Sequence, residues 1–439
     1  MNLDTGAGKP RNAPAVNVWV VQVGEPVSFV DGGSRPFRSE MLANRLVERG
    51  HSVLRWASTF DPLRRVFRFQ EAREISLGSS LRYRFLHGPT AYARSISPRY
   101  SRHGRELAAQ FGLQASEEAL PDLILCSLHP TPLALRVADH AHRHGVPLLL
   151  DVRDTWPDSL VKNLKFPWRP IAGWFFRDER RQIQKILHRA DAITAISTEC
   201  LRWSLGQVDR RSHGWDRIFS LAYEEPPREI FSCEEQRRRY LSTLKAADAS
   251  HIVTCIGRVG SSFDFDLVVR LARHFWREGR RDVRFVLAGE EPVRRILQKK
   301  FSSLPNLTVT GWLDQRELYQ LLAVTTVGLL PYKDMHRPTI RNKPLDFLSM
   351  GVPMLSSLHG ELFFLMRQNS FGICFPPKDL DALHALLCRL LQSPNLRESM
   401  RENGLRVFRE NFLADKVYGE FAAHLEAFHR HRGRVEVAR

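Results

Sequence analysis

Arg341-Asn342-Lys343-Pro344-Leu345-Asp346-Phe347-Leu348-Ser349-Met350-Gly351-Val352-Pro353-Met354-Leu355 is the stretch from which the fold can be read. Asn342 can cap a helix, Pro344 is tolerated only in a first turn, and Gly351 can supply a left-handed stop before a strand-like run. A short helix then presents a partially positive N-terminus with free N–H groups. Lys343 adds a full charge there, and Asp346 lies within the first turn. Such an end suits a phosphate and, one turn in, a pair of sugar hydroxyls. An ordinary strand-loop-helix unit, with Lys343 solvated and Asp346 merely favouring the dipole, fits the same residues.

The chain has 439 residues, too many for one ordinary core and suited to two domains of roughly 200 residues each. Its 43% hydrophobic and 26% charged content is that of a globular protein rather than a disordered one. The six cysteines (Cys126, Cys200, Cys233, Cys255, Cys374 and Cys388) form no C-x-x-C pair and no obvious ligand spacing with histidine, so a reducing compartment and no structural zinc are expected. The first fifteen residues lack an apolar core, and no run of about 18 apolar residues occurs; neither a standard export signal nor a membrane span is expected. A net charge of +17 and a pI near 10.0 predict attraction to something anionic: nucleic acid, an anionic membrane surface or phosphorylated small molecules.

Strand-like and helix-like segments alternate twice over. Val16 to Val23, the glycine loop Asp31-Gly32-Gly33-Ser34-Arg35, a helix from Arg38 to Arg49 and a strand from Ser52 to Ala57 form a βαβ unit, without G-x-G-x-x-G. From Leu63 to Arg105 arginines interleave with Phe67, Phe69, Tyr83, Phe85, Tyr92 and Tyr100, with only Glu71 and Glu74 as acidic counterparts. This pattern fits single-stranded nucleic acid, an anionic lipid surface, or a solvated insertion that wraps a domain. His140 and His144 share a face of the helix ending at Gly145, a spacing that metals use and that more often complements the helix dipole.

The run Leu148-Leu149-Leu150-Asp151-Val152-Arg153-Asp154-Thr155-Trp156-Pro157 carries a buried strand into a polar loop, where ligands sit in doubly wound sheets. Asp151 and Asp154 are candidate bases or acceptors for a hydroxylated ligand; alternatively they pair with Arg153 and cap the next turn. Trp168, Ile171, Trp174, Phe175 and Phe176 precede a basic helix, Arg177 to Arg189, as in an interfacial anchor. Strands are expected at Ala192 to Ile196 and Ile218 to Ala222. After the linker Glu224-Glu225-Pro226-Pro227 the pattern restarts, with strands at His251 to Gly257, Val283 to Ala288, Leu307 to Gly311 and Val327 to Leu330, and a capping box at Asp314 and Glu317.

Gly257-Arg258, Ala288-Gly289-Glu290-Glu291, Val309-Thr310-Gly311-Trp312 and Asn342-Lys343 to Gly351-Val352-Pro353, in that order, resemble the second domain of GT-B glycosyltransferases of the family-4 (group 1) type. Gly50-His51, the Asp151 to Pro157 loop and Ala190-Asp191-Ala192-Ile193 resemble the first domain, in the D-x-R-D-x-W-P branch associated with bacterial polysaccharide assembly. The resemblance spans Val16 to Phe428. It implies an α/β fold of two doubly wound Rossmann-like domains facing across a cleft: residues 1–223 on the acceptor side, 224–405 on the nucleotide-sugar side, and 406–439 crossing back to the first.

The activity implied is sugar transfer from a nucleotide-sugar to a saccharide or polyprenyl-linked acceptor. It would proceed with retention of anomeric configuration at the cytoplasmic face of a bacterial membrane. The nucleotide-sugar is a substrate; no cofactor, metal or nucleic-acid partner is expected. By resemblance Arg258 and Lys343 contact the donor diphosphate and Asp346 accepts hydrogen bonds from the ribose. Gly257, Glu290 and Asn342 complete the donor site, Gly32 and Gly33 form the glycine loop, and His129 and Asp154 are the catalytic-side residues. Two departures mark the chain. The first acid of the family's E-x7-E falls on Pro338, with Asp334 or His336 as substitutes, and Ser261, Ser262 and Phe263 stand where the family carries a lysine. These departures keep open an inactive GT-B module that binds nucleotide-sugars or acts as a scaffold.

Overall fold

The computed structural model describes residues 15–32, 34–92, 97–162, 164, 167–257, 263–289, 304–333, 340 and 342–437. The first half is organised on an eight-stranded sheet in the order β10-β9-β8-β7-β1-β2-β6-β5. Its strands are β1 (Asn17–Val21), β2 (Ser52–Ser58), β5 (Arg73–Ser76), β6 (Leu81–Leu86), β7 (Leu123–Ser127), β8 (Leu148–Val152), β9 (Ala192–Ala195) and β10 (Arg217–Ile218). All neighbours pair in parallel except β5 with β6; β3 (Phe60–Asp61) and β4 (Val66–Phe67) form a separate antiparallel pair. Alternate residues of one strand enter opposite cores, as a sheet covered on both faces requires. Val18 and Val20 of β1 pack with the helix Arg38–Glu48 and the final helix Ala414–Val437, whereas Trp19 and Val21 pack with Leu107, Val137 and Ile183 from the helices on the other face.

The second half carries six parallel strands in the order β13-β12-β11-β14-β15-β16: β11 (His251–Ile256), β12 (Val283–Ala288), β13 (Leu307–Val309), β14 (Val327–Leu330), β15 (Met354–Ser356) and β16 (Gly372–Cys374). This is the doubly wound GT-B architecture. In each sheet the chain starts at an inner strand, winds outward, then returns to that strand's other side. The winding therefore reverses between β1 and β7 in one sheet and between β11 and β14 in the other, and the carboxyl ends there are where such sheets hold ligands. The halves meet where the chain crosses twice: Tyr223 N–H donates to Phe412 O at 2.9 Å and Ala414 N–H to Tyr223 O at 2.8 Å.

Three sequence expectations change. Ile218 to Ala222 is not a strand, because only Arg217–Ile218 reaches the sheet before the chain leaves for the crossing. The arginine-aromatic segment is only in part a free basic surface: Arg65, Arg73, Arg99 and Arg105 are exposed, but other members are spent within the fold. β6 is an inner strand burying Tyr83 and Phe85, Arg82 and Arg84 share Glu74 and Glu118, and Arg68 pairs with Asp31. Glu118 and Asp31 lie outside the segment, so local sequence could not reveal the compensation. Finally, the helix over the opening stretch is Asn342–Ser349: Asn342 is its first helical residue rather than its cap, and Asp346 falls beyond the first turn.

Candidate active site

Gly257 follows β11, Gly289 follows β12, and the helix Asn342–Ser349 points its N-terminus at the same space. A Cβ on Gly257 would stand 2.8 Å from the Phe265 ring, so the chain passes there only as glycine. Gly351, at φ +65°, ends the helix in the left-handed conformation. Together with Leu318, Tyr319 and Trp312 these elements enclose a cavity of about 250 Å³ whose opposite wall, Pro26, Ser34, Arg35, Phe37 and Leu63, belongs to the first domain. Four donor-side residues named from sequence, Gly257, Asn342, Lys343 and Asp346, thus line one space between the domains. Arg258, Glu290 and Gly33 lie outside the described residues, as do Ser261, Ser262, Asp334, His336 and Pro338.

Asp346 is not free. Arg35 reaches across the cleft to its Oδ1 at 2.8 Å, and Lys343 Nζ stands 3.5 Å from its Oδ2. The carboxylate is 2% exposed and the guanidinium 19%. Arg35 also stacks on Tyr223, its Cζ 3.7 Å from the ring centroid, and donates to the Tyr223 hydroxyl, which donates in turn to the Asn342 carbonyl at 3.0 Å. A second tie spans the domains where Thr198 N–H donates to Glu361 at 3.2 Å. Gly32 does not line the cavity; its carbonyl accepts from Arg64 at 2.6 Å, and Ser34 and Arg35 take its place at the wall.

Across the first domain's switch point, a smaller cavity of about 240 Å³ is lined by Gln22 after β1, Ser127, Leu128 and His129 at the end of β7, and Asp151, Arg153, Asp154 and Trp156 at the end of β8. It brings His129 and Asp154 together. Burial lowers the His129 pKa to about 4, against a smaller opposing pull from Asp154, so its imidazole is neutral at pH 7. Its Nδ1 lies 3.3 Å from Thr131 Oγ1, and its Nε2 is buried without a hydrogen-bond partner among the described residues. Asp151 takes the structural alternative: Arg38 grips both its oxygens at 2.8 and 2.9 Å and Arg153 reaches it at 2.7 Å. Burial alone would raise its pKa, but the two guanidinium groups outweigh that and hold the carboxyl well below the usual range. It is a fixed anion that orients Arg38 and Arg153, not a base. Arg153 continues the network to Glu25, which also faces Arg55 at 3.4 Å.

Comparison with known proteins places this geometry. Residues 33–210 match the family described as glycosyl transferase 4-like domain, and residues 250–393 match glycosyl transferases group 1. Each half of the chain thus matches a glycosyltransferase domain model, the second half that of group 1. A curated relative, the α-D-kanosaminyltransferase of Streptomyces kanamyceticus, is 24% identical over 59% of this chain; the match spans 65% of the relative's length, a little under two thirds. Among solved structures, sucrose-phosphate synthase from Thermosynechococcus elongatus superposes with a TM-score of 0.69 at 15% identity, over 96% of this chain and all of that one. A UDP-forming α,α-trehalose-phosphate synthase from Burkholderia xenovorans superposes at 0.66 and 13%, over 94% and 98%. These likenesses confirm the fold.

Within this two-domain framework, the sequence reading missed Arg35 and Tyr319, which line the donor-side cavity, and Tyr223, which holds Arg35 beside it. Arg35 carries a local signal, an arginine closing a glycine-bearing loop after the first strand. Tyr223 and Tyr319 carry none, since only the fold brings them to the cleft.

Proposed function

We propose that the protein transfers a sugar from a nucleotide-sugar to a saccharide or polyprenyl-linked acceptor in bacterial cell-surface polysaccharide assembly, acting at the inner face of the membrane. The observation that carries the reading is the shared lining of the interdomain cavity by Gly257, Asn342, Lys343 and Asp346, with a cavity lined by both Asn342 and Asp154 between it and the one that holds His129. The similar proteins, a kanosaminyltransferase and a UDP-forming synthase, support a nucleotide-sugar donor with UDP as first candidate. On this reading Lys343 and the helix N-terminus balance a leaving diphosphate without metal, and Asp346 accepts two vicinal ribose hydroxyls once it exchanges its bond with Arg35.

On the retaining route, the acceptor oxygen bonds to the anomeric carbon on the face from which the diphosphate departs. The carbon–oxygen bond to the diphosphate breaks, and a diphosphate oxygen takes the acceptor proton. No protein base is needed, and His129 and Asp154 orient the acceptor. An inverting route needs a base within hydrogen-bond reach of the acceptor hydroxyl, and the same two residues are the candidates. A thermal-shift screen of UDP-, GDP-, ADP- and dTDP-sugars identifies the donor, because a ligand of the folded state alone raises apparent stability. NMR of the new linkage then decides: an α-linked product from an α-linked donor supports retention. A β-linked product with near-complete loss of kcat in Asp154→Asn overturns it. The pairing of Asp346 with Arg35, together with Pro338 in the E-x7-E position, favours one second reading, an inactive module that binds nucleotide-sugars; donor binding with no turnover of any acceptor would establish it.

A further inference from the structure

On the second domain two neighbouring helices, Phe265–Arg277 and Leu380–Gln392, bring together four side chains with metal-ligand chemistry. His274 and Glu278 are four residues apart at the end of one, His384 and Cys388 four apart on the other, so each pair shares a face. His274 Nε2 is 3.2 Å from Glu278 Oε1, His384 Nε2 is 3.0 Å from Glu278 Oε2, and Cys388 Sγ is 3.6 Å from His384 Nε2. The ligand atoms of His274, Glu278 and His384 all lie within 4.8 Å of one another. A tetrahedral zinc ion with bonds of about 2.0–2.1 Å to nitrogen or oxygen and about 2.3 Å to sulfur sets neighbouring ligand atoms about 3.3 Å apart, and about 3.6 Å where one is sulfur. The pairs His274–Glu278, Glu278–His384 and His384–Cys388 already have such edge lengths, and Cys388, which lies outside the trio that converges within 4.8 Å, turns inward to complete the site.

We propose that His274, Glu278, His384 and Cys388 form a site for a zinc-class divalent ion that clamps the two helices together. Without an ion, each imidazole hydrogen-bonds one carboxylate oxygen, and this holds the three side chains in place at little cost in reorganisation. Arg280 is the neighbouring cation, and its charge is occupied by a bidentate pair with Asp282 at 2.9 and 2.8 Å. The site lies before the start of β12, whereas the cleft lies at that strand's other end, six residues and about 20 Å away. The ion is therefore structural and takes no part in transfer chemistry.

The test uses the full chain without a polyhistidine tag, stripped with chelator and titrated with Co²⁺ and Zn²⁺. One equivalent of Co²⁺ is expected to give tetrahedral visible bands and a near-ultraviolet thiolate band, and Zn²⁺ is expected to raise Tm. His384→Ala is expected to weaken binding by more than about tenfold, at least the cost of losing an outer partner of a metal ligand. Cys388→Ser is expected to keep the visible bands and lose the thiolate band, which reads the site even if His384→Ala folds poorly. Nucleotide-sugar binding is expected to be equal with and without the ion, so failure here leaves the donor assignment standing. Absence of stoichiometric binding, or binding unchanged in both variants, would show that the cluster is only a hydrogen-bonded ion pair.

Discussion

The side chains that distinguish this cleft are two cations, Arg35 and Lys343, sharing one anion, Asp346. Lys343 stands at a helix N-terminus with Asp346 as its nearest counter-charge, so a donor diphosphate can replace that partner with stronger, doubly charged oxygens. Lys343→Ala is expected to weaken nucleotide diphosphate binding by about 1.5–3 kcal/mol, the scale of a charge-assisted hydrogen bond, with no effect of EDTA. Calorimetry showing strict Mg²⁺ dependence, or no loss, would refute this. Asp346→Ala strands Arg35 in a largely buried place. Breaking a buried pair costs about 3–5 kcal/mol, and the residual exposure and Tyr223 stacking of Arg35 reduce this to about 2–3 kcal/mol in urea denaturation. His129 gives a pH signature. Its folded pKa of about 4 lies below the ordinary value near 6.5, so between those limits the unfolded chain binds the proton and the folded chain does not. Stability is therefore full above pH 6.5 and declines as pH falls toward 4, and His129→Gln is expected to shrink the decline between pH 7 and pH 5 by about 2 kcal/mol. Residue chemistry was legible for Lys343, Asp346, His129 and Asp154 as types at a strand or helix end. What Asp346 and Asp151 pair with was not, since Arg35 lies 311 positions from the first and Arg38 113 from the second.

Elements were the most legible scale, because both periodicities are strong here. Phe265–Arg277, Val283–Ala288 and Val327–Leu330 fall where the apolar spacing puts them, and the capping box of Asp314 with Glu317 forms. The failures sit where pairing is long-range. β6 looked like part of an irregular basic segment because its arginines alternate with buried aromatics, and its place beside β2 is decided by tertiary contacts. Likewise the ligand-like quartet on the two second-domain helices escaped a cysteine-spacing search because its halves lie about a hundred residues apart and one half is a His-x3-Cys turn. The site helix also makes a tight contact with the sheet: a Cβ on Gly328 of β14 would stand 2.7 Å from the Phe347 ring. Gly328→Ala is expected to push the helix Asn342–Ser349 outward, costing about 1–3 kcal/mol as overpacking does, and to weaken donor binding although residue 328 touches no ligand. Phe347→Leu in the same chain is expected to restore much of the binding. If Gly328→Ala binds normally, or Phe347→Leu rescues nothing, the helix is not positioned by this contact.

At the scale of the whole molecule the two-domain plan was legible from the double alternation, while the meaning of the +17 charge was not. The basic segment from Leu63 to Arg105 that suggested a membrane or nucleic-acid surface spends several of its arginines on ion pairs and its rings on core. The helix Trp168–Phe175 has the opposite character: none of its residues is buried, and Trp168, Ile171, Trp174 and Phe175 are all exposed, Trp174 at 76%. Lys162, Arg169, Arg177, Arg181 and Lys185 are exposed around it, with Asp178 paired to Arg181. Rings at headgroup depth with cations beside them are the signature of a helix lying in a membrane interface, and no described helix is long and apolar enough to cross one. Each cation near an anionic leaflet contributes about 1 kcal/mol, and salt screens that contribution. The protein is accordingly expected to sediment with phosphatidylglycerol-containing vesicles at low salt and to leave them at high salt. Trp174→Ala with Phe175→Ala is expected to lower binding at every salt concentration, whereas Arg177→Glu with Arg181→Glu lowers it chiefly at low salt. None of these four residues lines the interdomain cavity, so nucleotide-sugar binding in solution is expected to be unchanged in both variants. Equal sedimentation with neutral vesicles would remove the electrostatic part of the argument, and undiminished binding in the Trp174 and Phe175 variant would remove the helix.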